Sequence, residues 1–276
     1  ETYSGKALNV AKGIARLGGE SIATGFMFED HGSIFEHVLE KEGVKPSFVF
    51  SKGSARVNYK IIDKRSMLTE INDRGEVVNR QKQLELIDRV KSLSKMVDIA
   101  VMSGSLPSGV DAHFYNEVLS VIPDNVKVIV DTEKANMEEA LSARKVFLVK
   151  PNLRELESFT DRTIRSKSDI VDACKKYLDL GAENVLVSLG ADGAILTNGI
   201  ENYYCKSQNV AVNSTVGAGD CMISAVCVGL SEKKPMQEIL QMSVAAGTAA
   251  ITTSGTNLFY KDKYEEIYHN IFVETL

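Results

Sequence analysis

Ser214-Thr215-Val216-Gly217-Ala218-Gly219-Asp220 runs without a break into Cys221-Met222-Ile223, and the reading of this junction decides how the rest of the chain is understood. Two glycines allow a tight turn and a close approach of backbone to a ligand. The apolar run over residues 221–230 predicts a fully buried helix. The first unpaired N–H groups of such a helix, at its partially positive end, suit an anion. Asp220 then has two readings: a carboxylate that caps the helix, or a general base facing an anion that it does not itself bind.

Working outward, β-branched runs at residues 99–102, 126–130, 146–149 and 184–187 alternate with helical patterns at 84–96, 112–121, 137–141 and 170–180. That rhythm predicts an α/β chain with a mostly parallel central sheet covered by helices on both faces. Ligands in such a sheet sit at the carboxyl ends of the strands. Ser103-Gly104-Ser105, Asp131-Thr132, Lys150-Pro151-Asn152 and Ser188-Leu189-Gly190 each follow a predicted strand, so one rim collects polar and charged groups.

Towards the N-terminus the pattern reads as a helix over 8–17 stopped by Gly18-Gly19, a strand over 21–28 and a helix over 33–41. Residues 47–78 differ, with short alternating segments that predict a small antiparallel sheet. Its alternation sets Arg56, Asn58 and Lys60 on one face and Val57, Tyr59 and Ile61 on the other. The expected division is a core of residues 1–46 and 80–276 with a β-sheet lid at 47–79. Beyond Gly193, a hairpin-like stretch (194–197, 203–205 and 210–212) precedes the opening junction, and helices are predicted at 236–251 and 260–272. Small residues such as Gly247 and Ala250 in the first of these either admit a flat ring or serve helix packing.

The 276 residues are 44% apolar and 25% charged, enough for one large core with a small appendage. A net charge of −5 without basic runs gives no case for nucleic acid or a membrane surface, so any anion is handled locally. No apolar run is long enough to span a bilayer. Cys174, Cys205, Cys221 and Cys227 lack C-x-x-C spacing and lie in apolar surroundings, which predicts buried thiols in a reducing cytoplasm.

The rim brings together Asp220 after an anion-binding turn, Asn152 and Glu155 suited to a hydrated Mg²⁺ near phosphates, and Lys6 and Arg56 for a second anion. Phosphoryl transfer accommodates all of them. The chain has no G-x-x-x-x-G-K-[ST] loop, no protein-kinase signature set, no H-E-x-x-H and no G-x-S-x-G, and its four histidines are isolated.

Four motifs in register, S-T-V-G-A-G-D (214–220), K-P-N-L-R-E-L (150–156), V-S-L-G-A-D-G-A (187–194) and S-G-S-L-P-S-G (103–109), resemble the ribokinase-like PfkB carbohydrate kinases over nearly the whole chain. S-G-K-A-L-N-V-A (4–11), A-R-V-N-Y-K-I (55–61) and M-L-T-E-I-N (67–72) resemble the 1-phosphofructokinase and tagatose-6-phosphate kinase branch. The resemblance implies a three-layer α/β/α fold with a β-sheet lid, and an ATP- and Mg²⁺-dependent kinase of a phosphorylated ketohexose, with fructose 1-phosphate the first expectation and tagatose 6-phosphate the alternative. It implies Asp220 as catalytic base, with the Gly217, Ala218 and Gly219 backbone stabilising charge on the transferred group. Asn152 and Glu155 match the metal motif, and Lys150, Asn152, Ser188, Gly190, Gly247 and Ala250 the nucleotide side. Gly5, Lys6 and Asn9 resemble the sugar-binding turn, with Lys6, Arg56 and Ser105 candidates for the phosphate already on the sugar. A homodimer through the lid, cytoplasmic, is also implied.

Each residue also has a plainer role: Lys6, Lys150 and Arg56 as solvated charges, Ser105 as a turn former, Glu155 as a first-turn helix charge, and Asn9, Asn152 and Ser188 as caps or turns. Ser4 and Ala7 stand where the resembling kinases have glycine, and Cys221 where they have Ser or Thr. Their N-terminal strand, ending in an N-P-A-x-D-like element, has no counterpart, so a native strand is expected to precede Glu1. Two further functions stay open: a catalytically silent sugar-phosphate-binding protein that keeps the fold, and a kinase of an unphosphorylated sugar or nucleoside.

Overall fold

The computed structural model describes residues 2–62, 68–255 and 257–276. The chain opens on helix α1 (Lys6–Arg16), followed by strands β1 (Ile22–Ala23) and β2 (Phe26–Asp30), helix α2 (Gly32–Lys41), and strands β3 (Lys45–Pro46) and β4 (Val49–Ser54). A hairpin of β5 (Tyr59–Ile62) and β6 (Leu68–Ile71) follows, then α3 (Arg80–Leu93). Alternation sets in with β7 (Ile99–Ser103), α4 (His113–Ser120), β8 (Lys127–Asp131), α5 (Lys134–Ala143), β9 (Val146–Val149), α6 (Leu153–Thr160), α7 (Lys167–Asp179) and β10 (Ala182–Ser188). Strands β11 (Ala194–Thr197) and β12 (Asn202–Cys205), helices α8 (Ala218–Ser231), α9 (Met236–Ala250) and α10 (Lys261–Asn270), and β13 (Val273–Thr275) complete the chain.

The central sheet has seven strands in the order β13-β12-β11-β10-β9-β8-β7. Strands β7 to β10 are parallel, and β11 to β13 extend the sheet antiparallel. Because side chains alternate along a strand, Ile129, Leu148, Leu186 and Leu196 enter one core, against α8, α9 and α10. Val128, Val130, Val185, Val187 and Ile195 enter the other, against α4 to α7. Both faces are therefore dry, which is why these strands read as continuous apolar runs rather than as alternating ones.

Three local expectations change. The strand over 21–28 is broken at Thr24-Gly25 into β1 and β2, which take separate partners, β3 and β4. The single antiparallel sheet over 47–78 divides: β4 pairs in parallel with β2, and only β5 and β6 make an antiparallel hairpin. Phe48 and Val49 are buried in the main body, so their alternation reports a half-buried strand but not its partner. Met67 of the T-E-I-N stretch lies outside the described residues. Residues 210–212 are not a strand. The helix expected over 260–272 is α10, and the short edge strand β13 follows it, beyond that range.

Helix α1 lies directly on α8 because Gly13 has no side chain. A Cβ there would stand 2.2 Å from Ser224 Oγ and 2.7 Å from Ser224 Cβ. Ser224, fully buried, shares its hydroxyl between the Val10 and Asp220 carbonyls, each at 2.9 Å. That contact between two distant parts of the chain positions the site. Cys174, Cys205, Cys221 and Cys227 are buried and unpaired, and burial pushes each thiol up to about 12. Among the described residues no helix is long and apolar enough to cross a membrane.

Candidate active site

The turn before α8 is held by Gly217 in the left-handed region (φ 82°), a conformation that glycine adopts without strain. The Cys221 N–H donates to the Gly217 carbonyl, closing the first helical bond. This leaves the N–H groups of Ala218, Gly219 and Asp220 without helical partners at the positive end of α8.

Asp220 does not cap the helix: α8 has no side-chain cap, and the carboxylate turns to α1, where Asn9 Nδ2 donates to its Oδ2 at 2.8 Å. Asn9 is fixed in turn by its own N–H, which donates to the Gly5 carbonyl at 2.8 Å. Asp220 is only 5% exposed. Burial pushes its carboxyl up to about 6; the Asn9 hydrogen bond opposes this, the Asp131 charge adds to it, and the Lys150 and Lys6 ammonium groups counter it.

Lys150 follows β9 and is buried, with its ammonium 3.5 Å from Asp131 Oδ1. Lys6, about half exposed, stands 3.9 Å from Asp131 Oδ2. The ammonium of Lys150 also lies over the glycine turn, since a Cβ on Gly219 would be 2.9 Å from Lys150 Nζ. One centre thus gathers Lys6 and Asn9 of α1, Asp131 at the end of β8, Lys150, and Gly217 to Asp220.

Asp131 is the residue that sequence reasoning left without a role. Its position on the rim was legible, but nothing local marks a carboxylate that divides two lysines from different parts of the chain. Next to it, Thr132 Oγ1 and Tyr115 OH both donate to the Gly104 carbonyl at 3.0 Å, and Asn136 Nδ2 donates to Thr132 Oγ1 at 3.1 Å. This buried network fastens the 103–105 loop to the end of β8.

Ser105 on that loop accepts a hydrogen bond from Arg56 Nη2 at 3.2 Å. The two residues share a cleft of about 550 Å³ that Asn58, Asn72, Arg74 and Glu133 also line.

On the nucleotide side, Asn152 and Glu155 form a capping box at the start of α6. The Glu155 N–H donates to Asn152 Oδ1 at 2.9 Å, and the Asn152 N–H donates to Glu155 Oε2 at 2.8 Å. Ser188 meets Asn152 in an isolated parallel bridge and its N–H donates to the Pro151 carbonyl at 3.1 Å. Gly190, in the left-handed region at φ 62°, starts the turn that follows β10. Gly247 and Ala250 are buried on α9. A Cβ at Gly247 would meet Met222 Cγ at 2.8 Å and the Ala218 carbonyl at 3.4 Å, so Gly247 lets α9 pack on the start of α8.

A hydrated Mg²⁺ keeps several waters and takes one or two carboxylates beside substrate phosphates. Glu155 suits that demand: it is exposed, and its hydrogen bond to Asn152 uses one carboxylate oxygen and leaves the other. Among the described residues no cluster of three acidic, His or Cys side chains builds an all-protein metal cage.

Residues 1–263 match the pfkB family of carbohydrate kinases. The chain is 30% identical to 1-phosphofructokinase of Escherichia coli K12, over 92% of this chain and 82% of that protein. It is 29% identical to tagatose-6-phosphate kinase of Staphylococcus epidermidis, over 99% of this chain and 89% of that one. Among solved structures, phosphofructokinase-2 of Escherichia coli in complex with fructose-6-phosphate superposes with a TM-score of 0.85 at 28% identity, covering 95% of this chain and 86% of that one.

Proposed function

The chain belongs to the pfkB family of carbohydrate kinases, and from that premise we propose that it transfers the γ-phosphoryl group of ATP to a hydroxyl of a phosphorylated ketohexose, fructose 1-phosphate in the first place. The observation that carries the reading is the buried Asp220 carboxylate, held by Asn9 at the glycine turn that begins α8, with Lys150 over that turn. With Oδ2 occupied by Asn9, Oδ1 is the oxygen that accepts the sugar proton. As the sugar oxygen bonds to the γ-phosphorus, the bond from that phosphorus to the leaving ADP oxygen breaks, and the proton passes to Asp220. A carboxyl at about 6 is ionised at neutral pH, yet is basic enough to take the proton as the hydroxyl attacks. The free N–H groups of Ala218 and Gly219 and the Lys150 ammonium face the charge that builds on the transferred group. Glu155 and Asn152 would hold the Mg²⁺, which neutralises phosphate charge when bound.

Lys6, Arg56 and Ser105 meet the phosphate that the sugar brings with it, and Ser188, Gly190, Gly247 and Ala250 border the nucleotide. The hairpin of β5 and β6 acts as the lid, and the exposed apolar side chains Tyr59, Ile61 and Ile71 on it, with Val57 just before it, are covered by a second copy of the chain. A cytoplasmic setting agrees with four unpaired thiols.

Tagatose 6-phosphate is the second substrate reading, favoured by the 29% identity to a tagatose-6-phosphate kinase. Coupled ADP release with fructose 1-phosphate, tagatose 6-phosphate, fructose 6-phosphate and free fructose, each with ATP and Mg²⁺, ranks them by kcat/KM. If no hexose phosphate gives turnover above that of Asp220→Asn, the kinase reading fails. Calorimetric binding of a sugar phosphate without ATP consumption would then identify a silent binding protein.

A further inference from the structure

Besides Arg56, a second arginine, Arg74, lines the cleft beside the site. Three loops meet there and are pinned to one another. The Asp73 N–H donates to Asn58 Oδ1 at 3.1 Å, and a Cβ at Gly75 would lie 3.4 Å from Arg56 Cβ, so the segment carrying Arg74 packs along the segment carrying Arg56. The same segment is fastened to the Ser105 loop. The Val78 N–H donates to the Ser108 carbonyl at 2.8 Å, and Ser108 Oγ donates to the Arg74 carbonyl at 3.3 Å. Gly109 closes the joint: at φ +83° and with a virtual Cβ 2.9 Å from the Val78 carbonyl, it admits no side chain. Buried Gln83 ties both loops from below, donating to the Val78 and Gly109 carbonyls at 3.2 and 2.9 Å.

We propose that Arg74 is the second arm of a two-arginine clamp, with Arg56 and Ser105, for the phosphate ester already on the sugar, and that Glu133, which lines the same cleft, weakens the clamp. The proposal rests on the phosphosugar reading and adds a specificity-determining residue to it. A phosphate monoester carries close to two negative charges at neutral pH, and one guanidinium does not neutralise them. Two planar forks offer paired N–H donors to separate oxygens of one phosphate. The pinned loops hold Arg56 and Arg74 in one cleft before any ligand arrives, which lowers the ordering cost that exposed arginines otherwise carry on binding. Glu133 reduces the net charge of the cleft, so the affinity is set below the most that the two arginines allow.

The test compares kcat/KM for fructose 1-phosphate and for free fructose in Arg74→Ala, Arg74→Lys, Arg56→Ala and Glu133→Gln of the whole chain, with inorganic phosphate as a competitive probe. Arg74→Ala is expected to raise KM for the phosphosugar on the order of ten- to hundredfold, as loss of charged hydrogen bonds does. The ratio of phosphosugar to free-sugar efficiency should fall by a similar factor, and inhibition by inorganic phosphate should weaken. Arg74→Lys should recover part of the loss, and Glu133→Gln should lower KM severalfold. If Arg56→Ala raises KM but Arg74→Ala leaves it alone, the clamp is overturned while the phosphosugar reading stands. If Arg74→Ala lowers efficiency on both sugars equally, and Arg74→Lys does the same, Arg74 merely supports the loop and the clamp is again overturned. If both arginine variants are silent and free fructose is turned over as well as its phosphate, the phosphosugar reading falls and the clamp with it.

Discussion

Replacing Asp220 by Asn tests the base and its burial together. Asn keeps the size of the side chain and still offers an oxygen to Asn9 Nδ2, but it neither accepts the sugar proton nor carries charge. In the native chain burial lifts the carboxyl from its ordinary 3.8 to about 6. The folded state therefore keeps a proton that the unfolded chain releases between those two values. A carboxyl with a raised folded value contributes its full stability below pH 3.8 and loses it as pH rises through about 6. At about 1.36 kcal/mol for each pH unit, the loss amounts to about 3 kcal/mol. Urea titrations of both proteins from pH 4 to pH 7.5, which span most of that window, should show the native chain losing roughly 2 to 2.5 kcal/mol relative to Asp220→Asn. ADP-release assays on the same preparations should find kcat/KM reduced by roughly 10²–10⁴-fold. In the native chain log kcat/KM should rise with pH through about 6 and level off above it, the limb of one essential base. A variant that stays within threefold of native turnover, or a stability difference flat across this range, would refute the reasoning.

Gly219→Ala sets a Cβ 2.9 Å from Lys150 Nζ, the far end of a flexible side chain. The urea midpoint should hold or rise, because Ala is favoured over Gly in a helix by roughly 0.5–1 kcal/mol, while kcat falls on the order of tenfold or more as the ammonium is displaced; a fall in both would show that the turn itself had failed. Gly13→Ala forces α1 away from Ser224 and should cost roughly 1–3 kcal/mol as overpacking and loosen Asn9 from Asp220. Adding Ser224→Gly should restore part of both stability and kcat/KM, a coupling that a double-mutant cycle reads. Tyr59→Asp on the exposed face of the lid hairpin should convert a dimer to monomer in light scattering at micromolar concentration; a native chain that is already monomeric removes the basis for the dimer.

What the sequence made legible follows from where the information lies. The parallel strands announce themselves because both faces of the sheet are dry and every residue from Val128 to Val130 must be apolar. The turn before α8 is equally local: Gly217 at φ 82° and the apolar helix behind it are neighbours in the chain. Pairing is different. Phe48 and Val49 look the same whether their partner is the next hairpin or a strand twenty residues earlier, and here the earlier strand wins because it extends the buried face. The centre of the site is less local still. Asn9 reaches Asp220 across 211 positions, by way of a glycine on α1 and a serine on α8 that carry no chemistry themselves. Asp131 gains its meaning only when the ends of β8 and β9 and the start of α1 converge and set its carboxylate between two ammonium groups. A single acidic residue after a strand gives no sign of that. The charge of Asp131 helps to lift Asp220, and Lys150 helps to hold it down, so the basicity of the base is a property of the rim as a whole. It follows that substitutions at Asp131 and at Lys150 should move the acid limb of the pH profile in opposite directions, down for Asp131→Asn and up for Lys150→Met, although neither residue need touch the sugar.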